Sequence, residues 1–270
     1  MQHERCWFCR GVEFRLMFDA ILFDLADTLL HFGKVRPLSL FGQGCRDTHD
    51  YLVERRLSPP DYATYRKVSL RAFTGRYIWS NMKGRDFNGL DVIANVMRKL
   101  KIQASERDLH TMAWMWYRPV LPQAHVVPGT HAMLEAFRRM GIRMAIVSNT
   151  CAPPHCLDRH LQQEKLLEFF PTRVYSSTTR YRKPHRMIFE SALSQLGVDA
   201  KRTLFVGDLI ARDIRGARRL GMRTVWKPAR RKSPINRRRF KPDHTIRVIT
   251  ELEPIVREIF PPMAELDLVG

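Results

Sequence analysis

Three unbroken apolar runs of strand length stand out along the chain: Ala20-Ile21-Leu22-Phe23, Met144-Ala145-Ile146-Val147 and Leu204-Phe205-Val206. Thr224-Val225-Trp226 adds a shorter fourth. Such runs suit strands buried on both faces, as in parallel sheets. Between them apolar residues recur every three or four positions. Met133, Leu134, Phe137 and Met140 precede Gly141; Ile188, Phe189, Ala192, Leu193 and Leu196 precede Gly197; Ile214, Ala217 and Leu220 precede Gly221. That spacing predicts helices with one apolar face, each stopped by a glycine just past its last turn. The alternation of strand and helix predicts an α/β fold with a parallel sheet and right-handed crossovers.

One block breaks the alternation. From Pro37 to Leu121 the pattern is helical throughout, with Leu90, Ile93, Val96, Met97 and Leu100, then Leu109, Met112, Ala113 and Trp116, on single faces. It predicts an all-helical insertion of about four helices. The division is therefore a sheet core over residues 17–33 and 123–270, and a helical unit over 34–122. Residues 1–16 read as an extension outside the fold, since Met17 immediately precedes the first strand. The aromatics Tyr62, Tyr65, Phe73, Tyr77 and Trp79 read as core of the helical unit.

Polar chemistry sits where the apolar runs stop. The first run meets Asp24, with Asp27 and Thr28 following; the second meets Ser148-Asn149-Thr150; the third meets Gly207-Asp208, with Asp213 five residues on. Lys183-Pro184 opens a further helical stretch. Ligands of open α/β sheets bind at the carboxyl ends of the strands, so these groups converge on one site. Hard carboxylate oxygens at Asp24 and Asp208 suit Mg²⁺. Ser148 and Lys183 suit phosphate oxygens. A helix-capping role is the bland alternative for Asp213.

The ordered set resembles the haloacid dehalogenase-like hydrolases. The matching residues are Phe23-Asp24-Leu25-Ala26-Asp27-Thr28-Leu29, Val147-Ser148-Asn149-Thr150, Arg182-Lys183-Pro184 and Val206-Gly207-Asp208 with Asp213. The resemblance implies a Rossmann-like doubly wound parallel sheet core with an inserted all-helical cap domain. It also implies a phosphatase-like activity on a phosphorylated small molecule. Asp24 would be the nucleophile, forming an aspartyl-phosphate. Thr28, Ser148, Asn149 and Lys183 would contact substrate, and Asp24, the carbonyl of Ala26, Asp208 and Asp213 would hold Mg²⁺.

Phosphatases of this family usually carry a second Asp two residues after the nucleophile, as general acid and base. Here that residue is Ala26, and a carboxylate follows one position later at Asp27. Losing a general acid/base costs 10²–10⁴-fold, roughly 3–5 kcal/mol. Three functions are consistent with this departure. The first is a hydrolase in which Asp27 serves as acid/base. The second is a phospho-ligand binder with impaired turnover. The third is a phosphonate-cleaving member, which would need a lysine such as Lys67 or Lys83 in a context the chain does not supply. A metal-free dehalogenase has no need of the Asp208 carboxylate.

Composition changes the picture in three places. Lys and Arg total 46 against 27 Asp and Glu, a net charge of +19 that favours anionic partners. The segment 227–241 holds Lys227, Arg230, Arg231, Lys232, Arg237, Arg238, Arg239 and Lys241. It is a nucleic-acid contact at most, and reads first as a solvated loop. Arg71, Arg76, Lys83 and Arg85 read as surface cations. Five cysteines, an odd number, fit reduced thiols, and Cys6-Trp7-Phe8-Cys9 lacks the second ligand pair that a zinc site needs. No uninterrupted apolar stretch of about 18 residues is present, so no membrane span is predicted. No signal peptide is evident, and a cytoplasmic location is predicted.

Overall fold

The computed structural model describes residues 18–33, 37–229 and 241–260. The extension 1–16, with Cys6 and Cys9, and most of the basic segment lie outside them. Strand β1 (Ala20–Phe23) is followed by β2 (Leu30–Phe32), which pairs antiparallel with β3 (Ala124–Val126). Between β2 and β3 the chain makes four helices: α1 (Pro37–Glu54), α2 (Tyr62–Lys83), α3 (Gly89–Lys99) and α4 (Glu106–Tyr117). After β3 come α5 (Thr130–Arg139), β4 (Arg143–Ser148), α6 (Pro154–Gln163), β5 (Thr172–Tyr175) and the short α7 (Ser176–Thr179). Then follow α8 (Arg186–Leu196), β6 (Thr203–Gly207), α9 (Arg215–Arg219), β7 (Arg223–Trp226), β8 (His244–Thr245) and α10 (Leu252–Ile259).

Six strands form one parallel sheet in the order β5-β4-β1-β6-β7-β8. The order puts β1 at the centre and winds the chain outward in both directions, the predicted doubly wound core. Successive side chains serve opposite faces. Ile21, Phe23, Ile146 and Val206 pack with Leu134, Phe137 and Val256 of α5 and α10, while Leu22, Ala145, Val147 and Phe205 pack with Ile188, Phe189 and Ala217 of α8 and α9. Burial on both faces is why these strands read as continuous apolar runs.

The helical insertion has its own core, including Leu52, Tyr65, Phe73, Val92, Ile93, Val96, Met97 and Met112. Each of α2, α3 and α4 starts on a side-chain cap, from Asp61, Asn88 and Ser105. Two of the aromatics read as core are not: Tyr77 and Trp79 are 58% and 41% exposed, on the outer face of α2. Tyr65 and Phe73 point inward from the same helix.

The insertion is latched to the sheet domain by Asp86, which is buried between them. Its carboxylate accepts from Ser176 Oγ (2.7 Å), Ser80 Oγ (3.3 Å) and the Phe87 N–H (3.1 Å), and lies 3.6 Å from the Arg182 guanidinium. Arg182 in turn donates to Ser80 and Asn81 of α2. Two backbone bonds reinforce the seam, Asp86 N–H to Arg180 O and Gly89 N–H to Cys151 O.

Candidate active site

The site is built at the carboxyl edge of the central strands. Asp24 ends β1, and its N–H donates to Val206 O at 2.9 Å, fixing the loop to β6. Thr28 Oγ1 donates to Asp24 Oδ2 (3.3 Å), and Lys183 Nζ lies 2.5 Å from Asp24 Oδ1. The same ammonium is 2.7 Å from Asp213 Oδ1. Asp213 sits in a wide helical turn (Ile210–Ile214), where its other oxygen accepts from Leu209 N–H at 2.8 Å. Gly207 permits that approach, since a Cβ there would stand 2.6 Å from the Asp213 side chain. Asp213 therefore faces the site with one oxygen while the other holds the N–H at the start of this turn.

Asn149 acts on the lysine's backbone. Its side-chain oxygen accepts from Lys183 N–H (2.7 Å) and its amide donates to Lys183 O (3.1 Å). Ser148 is buried at the end of β4, and its hydroxyl makes no hydrogen bond among the described residues. Thr150 N–H is held by Ser176 Oγ at 2.8 Å.

Burial dominates the electrostatics. Asp24 and Asp208 are both pushed above the ordinary carboxylate range, first by burial. For Asp24 the Lys183 charge opposes this and the Asp213 charge adds to it; for Asp208 the charges of Asp24 and Asp213 add to it. Burial also opposes the Lys183 ammonium, but Asp213 and Asp24 more than offset it, and its pKa rises. Oxygens of Asp24, Asp208 and Asp213 lie within 4.8 Å of one another. The Asp208 carboxylate is 6% exposed and makes no hydrogen bond or ion pair among the described residues. A buried carboxylate without a direct partner, beside two others, is a donor set for a hard divalent cation, so the residues present fit Mg²⁺.

Positions 26 and 27 are placed differently. Ala26 is exposed at the mouth. Asp27 has a left-handed backbone (φ 58°), and its carboxylate is bound by His31 Nδ1 (2.9 Å) and the Phe32 N–H (3.3 Å) of β2. Its carbonyl accepts from Lys227 Nζ at 2.7 Å.

Lys227 is the residue the sequence reading missed. Placed with the solvated basic segment, it is in fact buried, and burial lowers its pKa against the raising effect of Asp208, Asp27 and Asp24. Its position one residue past the β7 run Thr224-Val225-Trp226, the same offset as Asp24 and Asp208, was the available signal. Arg71, Arg76 and Lys83 are exposed as anticipated, and Arg85 stacks over Tyr181. Cys45, Cys151 and Cys156 are free thiols. No helix among the described residues is long and apolar enough to cross a membrane.

This architecture and this edge of carboxylates and lysine define a hydrolase of the phosphatase type. The chain belongs to the haloacid dehalogenase-like hydrolase family, whose model matches residues 18–221. It is 28% identical over 211 residues to a glyceraldehyde 3-phosphate phosphatase of Pyrococcus abyssi, covering 78% of this chain and 81% of that one. It is 33% identical over 104 residues to a phosphoserine phosphatase of Thermus thermophilus, covering 37% and 39% of the two chains. Among solved structures, a 2-haloacid dehalogenase of Pseudomonas syringae superposes with a TM-score of 0.59 at 19% identity, over 90% of this chain and 99% of that one. At that identity the likeness concerns the fold.

Proposed function

We propose that the protein is a Mg²⁺-dependent phosphoric monoester hydrolase working through an aspartyl-phosphate on Asp24, with the four helices as its cap. The observation that carries this reading is the unpaired, buried Asp208 carboxylate beside Asp24, itself held by Lys183 and Thr28. An Asp24 oxygen attacks phosphorus; the phosphorus–oxygen bond to the leaving alcohol breaks, and water later cleaves the acyl phosphate to release phosphate. Lys183 neutralises the approach of the anion to Asp24, and the free Ser148 hydroxyl donates to a phosphate oxygen. Asn149 holds the Lys183 backbone in place rather than touching substrate. Asp24, Asp208 and the Ala26 carbonyl, with Asp213 behind them, would hold Mg²⁺, which would supply positive charge to the phosphoryl oxygens.

No carboxylate stands at position 26, and we assign Asp27 to anchoring the ribbon rather than to proton transfer. The alcohol then leaves without a side-chain acid, so acyl and aryl phosphates are turned over faster than alkyl phosphates. In a Mg²⁺ assay with acetyl phosphate and p-nitrophenyl phosphate, Asp24→Asn lowers phosphate release by at least about 10³-fold. Equal rates for wild type and Asp24→Asn would sink the hydrolase reading. They would leave the second one, a phospho-ligand binder without turnover, which the absent carboxylate at Ala26 favours.

A further inference from the structure

An apolar cavity of about 260 Å³, partly open to solvent, lies between the helical insertion and the sheet domain. One wall is the turn that continues from Ser148 and Asn149, namely Thr150 to Pro153; the other is aromatic, built on Phe41, Phe73 and Trp116. Phe73 stacks on Trp116 with ring centroids 4.4 Å apart, and Phe41 tilts against both at 5.8 and 5.6 Å. Two glycines shape the space. A Cβ on Gly44 would press on Trp116 at 3.1 Å, and one on Gly89 would meet Cys151 O at 3.1 Å, where the seam closes.

Close-packed interiors hold few voids larger than a water molecule. This one is left open although its aromatic wall is otherwise well packed. Apart from the Trp116 indole N–H and the Cys151 thiol, its polar groups already have partners. Tyr117 OH bonds His160 Nδ1 at 2.8 Å, Thr150 Oγ1 accepts from Ala152 N–H at 3.0 Å, and Cys151 O accepts from Gly89 N–H at 2.8 Å. Little is left to recognise a hydroxyl, an ammonium or a carboxylate. Apolar cavities of about 150 Å³ admit benzene, so this one has room for a substituted ring.

We propose that this cavity receives the leaving group, and that the substrate is a phosphate monoester of an apolar alcohol, ring-bearing or branched. The inference rests on the hydrolase reading above and names its substrate class. It separates this chain from relatives named for glyceraldehyde 3-phosphate and phosphoserine, whose leaving groups are polar.

The test compares benzyl phosphate with glycerol 3-phosphate, two alkoxide leaving groups, so that the comparison reads recognition more than leaving-group chemistry. The expected result is a kcat/KM at least about 10-fold higher for benzyl phosphate, expressed mainly in KM. Ala152→Leu, which fills the cavity from the turn, should cut the benzyl-to-acetyl phosphate ratio by a similar factor. Ile93→Phe fills it from the opposite wall if the first variant does not fold. Equal rates on the two alkyl esters, or an Ala152→Leu enzyme with unchanged selectivity, overturn the inference while leaving the hydrolase intact. If neither ester is hydrolysed, calorimetric titration of wild type with benzylphosphonate decides. Binding that is lost on filling the cavity upholds an apolar ligand site, and no binding overturns it.

Discussion

Asp27 and His31 face each other across one turn of chain, with carboxylate Oδ1 and ring Nδ1 2.9 Å apart. The contact draws the loop after Asp24 onto β2, and the Phe32 N–H completes it. The carboxylate that follows Ala26 therefore serves the ribbon. Asp27→Asn should lower kcat on p-nitrophenyl phosphate by less than about 3-fold, because the amide oxygen can still accept from Phe32. Ala26→Asp should raise kcat on an alkyl phosphate by about 10²-fold, the lower end of what a general acid supplies. A large loss with Asp27→Asn, measured by steady-state kinetics, would return that carboxylate to the chemistry.

Lys227 supports the same loop from beneath, through the Asp27 carbonyl. Lys227→Met keeps the length and removes both the donor and the charge. It should reduce kcat about 10-fold and weaken Mg²⁺ activation, since the carbonyl of Ala26 lies one residue from the lost anchor. Steady-state kinetics at several Mg²⁺ concentrations reads both effects. Lys227→Arg should recover part of the activity.

Asp208 predicts how metal-free stability depends on pH. Burial raises its folded pKa above the unfolded value, so the folded state binds its proton more tightly. That stabilisation is present in acid and lost as pH rises from the ordinary carboxylate range through the raised value. Between about pH 5 and 8, metal-free wild type should lose more stability than Asp208→Asn. The proposed Mg²⁺ site would need the ionised carboxylate, so the rise in melting temperature on adding Mg²⁺ should grow with pH in wild type and be small in the variant.

Buried His160 works in the opposite direction. Burial depresses its pKa to about 4, with Tyr117 OH on Nδ1 and no partner on Nε2. A depressed base contributes stability that is present above its unfolded pKa and lost as pH falls toward the folded one. Wild type should therefore lose stability from about pH 6.5 to 4, and His160→Gln should show a shallower loss in urea unfolding at each pH.

Asp86 holds the insertion through four partners, one of them the Arg182 guanidinium. Asp86→Ala leaves that charge and the Ser176 hydroxyl without their acceptor. The loss should be about 2–4 kcal/mol in urea denaturation. A change within about 0.5 kcal/mol, the range of ordinary surface substitutions, would mean that the seam is held by its backbone bonds alone.

The central strands were legible because burial on both faces makes them apolar throughout. β5 was not, since Thr172-Arg173-Val174-Tyr175 is an edge strand with an arginine in it, paired with Asp158. α6 was hidden by Pro153-Pro154, which reads as loop; the second proline occupies the first helical position, where its missing N–H costs nothing. β2 and β3 are three residues each and carry no period. Asp24, Ser148 and Asp208 were readable from strand ends, and Lys183 and Asp213 from their place in the ordered set. Asn149's hold on the Lys183 backbone, the direction of Asp27 and the buried state of Lys227 depend on contacts between distant segments, as does the cavity joining Phe41, Phe73 and Trp116.

Both crossings of the chain into and out of the four helices run through the β2–β3 pair, and β2 is tied to the loop bearing Asp24. The covalent links of the helices to the sheet domain thus run through the ribbon that Asp27 ties to the Asp24 loop. In the hydrolase proposed above, strain on that ribbon is passed to Asp24, so the seating of the helices and the placement of its carboxylate form a single mechanical unit.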